Sequence, residues 1–322
     1  MATNWSKESE ELTFEAKSRY HRQIMIESIG EKGQMRLLRS SVFICGCGAL
    51  GGAVAEMLVR AGIGAVRIID SDYVQLSNLH RQTLFTENDA RLKRLKVQAG
   101  QDSLAAANST VLIEGIVDRF SSANAEKMIL NPFDADKKVD VLIDGTDNFS
   151  TRFLLNQIAV QYNIPFISAG VCGTTGQFLT IFPGQTPCLA CLIGNDEKDQ
   201  YNKSSQNGQF VETGNDLSGS FQNPVSQSDF VNDNDIDSLS NLFPILPPIV
   251  QLMAALEASA AIKILSGNRE AVSKKLISID LWKNQCRSLD LASLVQKEDC
   301  PVCHRKMDER MSQQNVDSEA NS

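Results

Sequence analysis

Between residues 70 and 82 the chain reads "DSDYVQLSNLHRQ", a cluster of side chains suited to holding phosphates. Arg81 offers a planar fork of donors that matches phosphate oxygens in pairs, and Lys96, further on, offers a compact cation. Asn78 and Gln82 add amide groups beside them. Each alone reads equally well as a residue on a solvated helix face. Together they suit a site that stabilises negative charge on a departing diphosphate. A second cluster, "DGTDNFSTR" at 144–152, contributes Asp147, whose carboxylate is placed to hold a divalent ion between phosphates. Asn148 stands in support, and Arg152 orients the loop or the substrate. An Asp or Asn that opens a helix also serves as an N-cap, and that reading stays open here.

These groups need a scaffold, and the preceding segment supplies one. "SVFICG" reads as a strand, "GCGALG" as a tight turn and the residues after it as a helix ended by a glycine at 62 or 64. Gly46, Gly48 and Gly51 fall in GxGxxG spacing. The first permits the turn, the second lets the backbone approach a phosphate, and the third lets helix and sheet pack closely. The helix N-terminus presents free amides to an anion. Asp70, after the second strand "AVRIID", sits where an acid holds ribose hydroxyls. A nicotinamide or flavin cofactor would suit this turn equally well. No GxxxxGK[ST] is present, which disfavours a P-loop kinase or GTPase.

The remaining pattern places strands at "TVLIEGI", "VDVLIDG" and "IPFISAG", with helices between them over 87–108, 123–130 and 148–163. Short apolar strands alternating with helices indicate an α/β, Rossmann-like doubly wound sheet, mostly parallel. "GQFLTIFPG", "KKLISID" and "CRSLDL" add an antiparallel C-terminal part, and a helix runs from about 248 to 266. The expected organisation is an N-terminal helical segment over 8–38 and a nucleotide-binding α/β core over 39–183. A C-terminal part over 184–305 belongs to the same domain and contains a mobile loop at 194–241. A disordered tail occupies 306–322. The loop carries nine acidic residues against two lysines. It reads either as an unstructured excursion or as a cover that orders on a partner.

A formal net charge of -8 gives no field that favours nucleic acid or an anionic membrane. The polar, acidic start is not a secretory signal. "LFPILPPIVQLMAALEASAAIKIL" reads as a buried loop and helix, because prolines, a glutamate and a lysine interrupt it. A cytoplasmic location is expected. Of the eight cysteines, Cys188 and Cys191 form one CxxC pair and Cys300 and Cys303 another. This is the spacing of a tetrahedral, structural zinc site that ties the C-terminal segment to the main domain. His304, beside the second pair, reads as a bystander. Cys45, Cys47, Cys172 and Cys286 read as buried packing residues.

With these residues in view, the chain resembles the MoeB/ThiF/HesA family of adenylyltransferases, relatives of ubiquitin-activating enzymes. The resemblance rests on "RYHRQI" at 19–24, "GCGALG", "DSDYVQLSNLHRQTLF" at 70–85, "LKV" at 95–97, "DGTDNFSTR", "PCLACL" at 187–192 and "CPVC" at 300–303. It covers about residues 15–304 apart from the polar loop, and is closest to the molybdopterin-synthase branch, MoeB. It implies ATP with Mg2+ as the nucleotide. It also implies a small ubiquitin-like sulfur-carrier protein, MoaD-like and ending in Gly-Gly, as the partner that is adenylated. Asp70 would hold ribose; Asn78, Arg81, Gln82 and Lys96 would surround the phosphates; Asp147 would accompany magnesium. Arg22, which the residues alone leave as a solvated helix position, would reach across a homodimer to the neighbour's nucleotide.

One departure narrows the expectation. No cysteine occurs from 192 through 285, which disfavours a covalent thioester or acyl-disulfide step after the first knuckle. No rhodanese domain is expected beyond "CPVC", so sulfur comes from a separate donor or sulfurtransferase. Alternatives are adenylation of a ThiS-like or other carrier, or of a small peptide. A non-catalytic nucleotide-binding partner subunit is a further alternative, and an NAD-dependent oxidoreductase is the weakest.

Overall fold

A computed structural model describes residues 11–193, 244–291 and 300–303. The expectations for the loop at 194–241, the tail at 306–322, residues 8–10 and His304 lie outside these. Two helices open the described chain, α1 (Phe14–Ile24) and α2 (Gly30–Arg39). Thr13 caps α1 by accepting a hydrogen bond from the Ala16 amide at 3.2 Å. Then come β1 (Ser41–Cys45), α3 (Ala49–Ala61) and β2 (Ala65–Ile69). Gly62, at φ 82°, closes α3 in the left-handed conformation.

The stretch read as one helix over 87–108 is two helices, α4 (Glu87–Arg91) and α5 (Lys96–Ala107). The chain breaks at Lys93, whose φ is 48°. The residues after the break pair with the loop that follows β2: the Val74 amide donates to Arg94 O at 2.8 Å and the Lys96 amide to Asp72 O at 2.9 Å. Apolar periodicity alone does not reveal such a break, because tertiary pairing overrides it.

Next are β3 (Leu112–Ile116), the short α6 (Ala125–Met128) and a hairpin of β4 (Leu130–Asn131) and β5 (Asp134–Lys138) that the pattern did not show. Its strands are short and polar, so they carry no hydrophobic alternation. After these run β6 (Val141–Asp144), α7 (Phe149–Tyr162), β7 (Phe166–Cys172) and β8 (Thr175–Ile181). The last described elements are α8 (Leu189–Ile193), α9 (Pro247–Ser266), β9 (Lys275–Asp280) and β10 (Gln285–Asp290).

Eight strands form one sheet in the order β10-β9-β8-β7-β6-β1-β2-β3. Pairs from β3 to β7 are parallel; β7–β8, β8–β9 and β9–β10 are antiparallel. The expected mixed α/β sheet with an antiparallel extension is therefore present. Successive strand residues face opposite sides. On one side Ile44, Ile143 and Ile167 pack with α3, α5 and α9. On the other, Phe43, Leu142 and Phe166 pack with α6 and α7. The long apolar α9 has a mean hydropathy of 1.5 over its most apolar window, and 56% of that window is buried. Length and composition alone would let it cross a membrane; here it covers the sheet beside α3. The chain reverses its winding between β1 and β6, where the carboxyl ends of strands open a crevice.

Candidate active site

The crevice is built around the turn from β1 to α3. Gly46 has φ 98°, and a Cβ there would lie 2.5 Å from Gly145 O. A Cβ at Gly51 would overlap the Gly46 carbonyl. The protein's own backbone thus demands glycine at both positions. Gly48 differs: a Cβ there meets only Gln82 Nε2, at 3.7 Å. The space beside Gly48 is open, as a cradle for a ligand would be. No side chain caps α3 and no acid lies in its first turn, so its amides stay free for an anion.

Asp70 ties this turn to the next strand. Its Oδ2 accepts from the Cys47 amide at 2.8 Å and its Oδ1 from the Asp72 amide at 2.8 Å. Each oxygen keeps a lone pair for another donor. Lys96 is the first residue of α5 and is buried. Its Nζ lies 2.8 Å from Asp72 Oδ2 and 4.0 Å from Asp70 Oδ2. Asp72 was not singled out from the sequence. The "DSD" spacing was its only signal.

Asn78, Arg81 and Gln82 follow a 3-10 turn at Leu76–Asn78. Arg81 Nη2 donates to Asn78 Oδ1 at 2.9 Å. Burial lowers the Arg81 pKa, and the nearby Asp147 carboxylate opposes that shift. The two charges are therefore near enough to act on each other. Gln82 is buried, and its Oε1 has no hydrogen-bond partner among the described residues.

Asp147 lies in the loop between β6 and α7. It is exposed and makes no hydrogen bond or ion pair among the described residues, which leaves a hard oxygen donor of the kind magnesium takes. Asn148 is the N-cap of α7, its Oδ1 accepting from the Thr151 amide at 2.9 Å. Arg152 points inward instead of toward a substrate. Its Nε pairs with Asp144 Oδ2 at 2.5 Å, and its Nη2 donates to Thr146 O at 3.3 Å and Ala169 O at 3.0 Å. Arg152 holds the loop.

The structure does not bring Arg22 to this cluster. It is exposed in the last turn of α1. The Gln23 side chain donates to Ala61 O at 3.0 Å and Tyr20 packs on Gly62, so α1 sits at the far end of α3. A helix of that length separates Arg22 from the phosphate turn of its own chain by about 20 Å.

Cys188, Cys191, Cys300 and Cys303 converge, their sulfurs all within 4.8 Å of one another. Neighbouring Sγ–Sγ distances are 3.8, 3.7 and 3.4 Å. Four thiolates around zinc at 2.3 Å stand about 3.8 Å apart, so the set fits that ion. Their mutual contacts act unequally: hydrogen bonds from Cys188 and then Cys303 push the Cys191 thiol down, while the contact with Cys191 pushes Cys188 up and those with Cys188 and then Cys191 push Cys303 up. Asn156 of α7 steadies the knuckle by accepting from the Leu189 amide at 2.9 Å. Cys45 and Cys47 are buried, and desolvation raises both thiols. Cys172 is half-buried and Cys286 is exposed. Both were expected inside, but β10 is an edge strand that leaves Cys286 open to solvent.

A family model described as ThiF family matches residues 20–302. The chain is 34% identical over 288 residues to the sulfur carrier protein ThiS adenylyltransferase of Bacillus subtilis, covering 89% of this chain and 72% of that one. It is 31% identical to a sulfur carrier protein adenylyltransferase of Thermus thermophilus, covering 96% and 97%. Against the adenylyltransferase and sulfurtransferase MOCS3 of Culex quinquefasciatus it is 31% identical and spans 55% of that relative's length. Among solved structures it is similar in fold to E. coli MccB crystallised with ATP, with a TM-score of 0.65 at 23% identity over 89% of this chain and 74% of that one.

Proposed function

The chain belongs to the ThiF family and is an adenylyltransferase, and from that premise we propose that it activates the C-terminal glycine of a small ubiquitin-like sulfur-carrier protein. The observations that support this reading are the buried Lys96 held between Asp72 and Asp70, the Arg81 and Asp147 charges near enough to act on each other, and the uncapped N-terminus of α3.

A carboxylate is a poor electrophile because its leaving oxygen is an oxide. In the proposed reaction a carrier carboxylate oxygen attacks the α-phosphorus of ATP, and the bond from that phosphorus to diphosphate breaks. The products are an acyl-adenylate and diphosphate, and no proton need move. The difficulty is repulsion between two anions. Arg81 and Lys96 hold phosphate oxygens as charge shifts onto the leaving diphosphate. The free amides of α3 and the open space at Gly48 receive a phosphate, while Asn78 orients Arg81. Asp70 accepts ribose hydroxyls with its remaining lone pairs. Asp147 would hold magnesium, which supplies charge neutralisation between phosphates when bound. Arg22, too far from its own site, acts in the site of a second copy in a homodimer. The four cysteines hold zinc in a purely structural role, since four thiolates leave no open position. Sulfur comes from a separate donor, and thiolates of this kind suit a reducing, cytoplasmic compartment.

The carrier we favour is MoaD-like, for molybdopterin synthesis, on the motif resemblance. A ThiS-like carrier is the second reading, favoured by the name of the Bacillus subtilis relative. ATP–pyrophosphate exchange with purified MoaD-type and ThiS-type carriers ending in Gly-Gly separates the two. Exchange with one alone names the partner. Exchange with neither, nor with any other such carrier, overturns carrier adenylation and favours a non-catalytic nucleotide-binding subunit.

A further inference from the structure

Asp147 owes its place beside the phosphate turn to its neighbours in the chain. Gly145 packs on that turn: a Cβ there would lie 2.7 Å from Gly51 Cα and 2.9 Å from Gly46 O. Its amide donates to Cys45 O at 2.8 Å, so the pairing of β6 with β1 continues past the end of the strand. On the other side of Asp147, Asn148 is fixed as the N-cap of α7, and its carbonyl receives the Arg152 amide at 3.3 Å. Only Thr146 and Asp147 lie between these two fixed points.

Thr146 is held at each of its polar atoms. Its amide donates to Asp144 Oδ1 at 3.1 Å and its hydroxyl to the same oxygen at 2.6 Å. The hydroxyl oxygen also lies 3.4 Å from Asn148 O, and the Thr146 carbonyl receives Arg152 Nη2 at 3.3 Å. Asp144 is itself immobilised. It is fully buried, and its Oδ2 accepts from Arg152 Nε at 2.5 Å and from Ser168 Oγ at 2.7 Å. Four donors fill the four lone-pair positions of this carboxylate. The β-branched Thr146 side chain has few alternative rotamers, so its hydroxyl ties the loop backbone firmly to that buried acid.

We propose that Thr146 is a positioning residue for Asp147: its hydroxyl locks the peptide before Asp147 onto Asp144, and that lock sets the direction in which the Asp147 carboxylate leaves the loop. Mg2+ takes its oxygens in near-ideal octahedral geometry, so a carboxylate presented at the wrong angle binds it poorly. The bearing on the metal rests on the role proposed above for Asp147; the lock itself does not. A hydroxyl that only completed the hydrogen bonding of Asp144 would support the fold without touching metal binding, and the two roles predict different measurements.

Thr146→Val keeps the shape of the side chain and removes the hydroxyl, whereas Thr146→Ser keeps the hydroxyl. Amide exchange resolved by residue on the whole protein reads the lock. In Thr146→Val the amide at position 146 should exchange about tenfold faster or more, while amides of β1 and β2 keep their protection. Thr146→Ser should stay within about twofold of the wild type. In the pyrophosphate-exchange assay Thr146→Val should need at least about threefold more Mg2+ for half-maximal rate, and Thr146→Ser should restore the wild-type requirement. Added to Asp147→Ala, Thr146→Val should cost less than about twofold further, because the residue it acts through is already gone. Thr146→Ala replaces the valine variant if that variant does not fold. Unchanged protection at position 146, or an unaltered Mg2+ requirement, overturns the proposal. A loss that persists undiminished beside Asp147→Ala also overturns it, since the hydroxyl would then serve the fold alone. A wild type inactive with every carrier would sink the functional reading alone, and amide exchange would still decide the lock.

Discussion

Lys96 and Asp72 form an ion pair at 2.8 Å that exists only because the chain breaks between α4 and α5. The break lets the Lys96 amide bond Asp72 O, so one turn of backbone delivers the cation and its counter-ion together. A lysine that opens a helix is opposed by the helix dipole. Asp72 offsets that repulsion, and in the proposed reaction a phosphate takes its place. Lys96→Ala should therefore lower carrier-dependent pyrophosphate exchange by about 100-fold or more. Asp72→Asn, which leaves Asp70 nearby, should lower it by about tenfold at most. Equal losses in the two variants would mean that the pair supports the fold and not the phosphates.

Asp147 offers a cleaner separation of chemistry from stability. It is exposed and makes no ion pair among the described residues, so Asp147→Ala should leave the melting temperature within about 2 °C of the wild type. Zinc content should also be unchanged. Pyrophosphate exchange should fall by about 100-fold or more, with weaker Mg2+ dependence in what remains. Turnover that survives the substitution removes Asp147 from the metal role.

The separation of Arg22 from its own phosphate turn makes a prediction about mixed oligomers. Arg22→Ala and Lys96→Ala should each be inactive alone. In a mixed dimer one site combines both defects and the other has neither. After subunit exchange the mixture should recover about a quarter of the wild-type rate. Recovery of nothing would place Arg22 in its own chain's chemistry, and an active Arg22→Ala variant would place it outside the chemistry altogether.

The tetracysteine cluster ties residues 300–303 to α8 and, through Asn156, to α7. Cys300→Ser or strong chelation should release stoichiometric zinc and lower the melting temperature by several degrees, on the order of 5 °C. Elemental analysis and thermal unfolding check both. A zinc-free protein with full stability would leave the cluster without a structural purpose.

How far the sequence discloses such a site depends on the range of the interactions that build it. The strand–turn–helix around Gly46 and the CxxC pairs are local patterns, and their residues lie where the spacing indicates. Asp72 went unseen because its partner is fixed by a helix break that apolar periodicity does not record. Arg152 was legible as a loop residue, yet its inward turn depends on Asp144 and Ala169, which only the folded sheet brings beside it. Glu257 was legible only as an interruption of an apolar helix read as buried, and nothing local marks the acid itself as fully enclosed. Cys286 went wrong for the opposite reason, since an edge strand exposes residues whose type suggests burial.

The protonation of Glu257 gives the last prediction, and its sign follows from the direction of the shift. Burial, and secondarily the Asp144 carboxylate, raises its pKa well above 4.5. The unfolded chain loses this proton near pH 4.5, while the folded chain keeps it. Across that window the folded state binds more protons, so stability falls as pH rises, by at most about 1.4 kcal/mol per pH unit from this group. The loss ends only when pH passes the folded-state value. Glu257→Gln does not titrate and escapes the loss. Urea midpoints measured from pH 4 to pH 7 should therefore show a difference between variant and wild type that is small at the acid end. It should widen in the variant's favour as pH increases. A constant difference over that range would show that Glu257 ionises in the folded chain as readily as in the unfolded one.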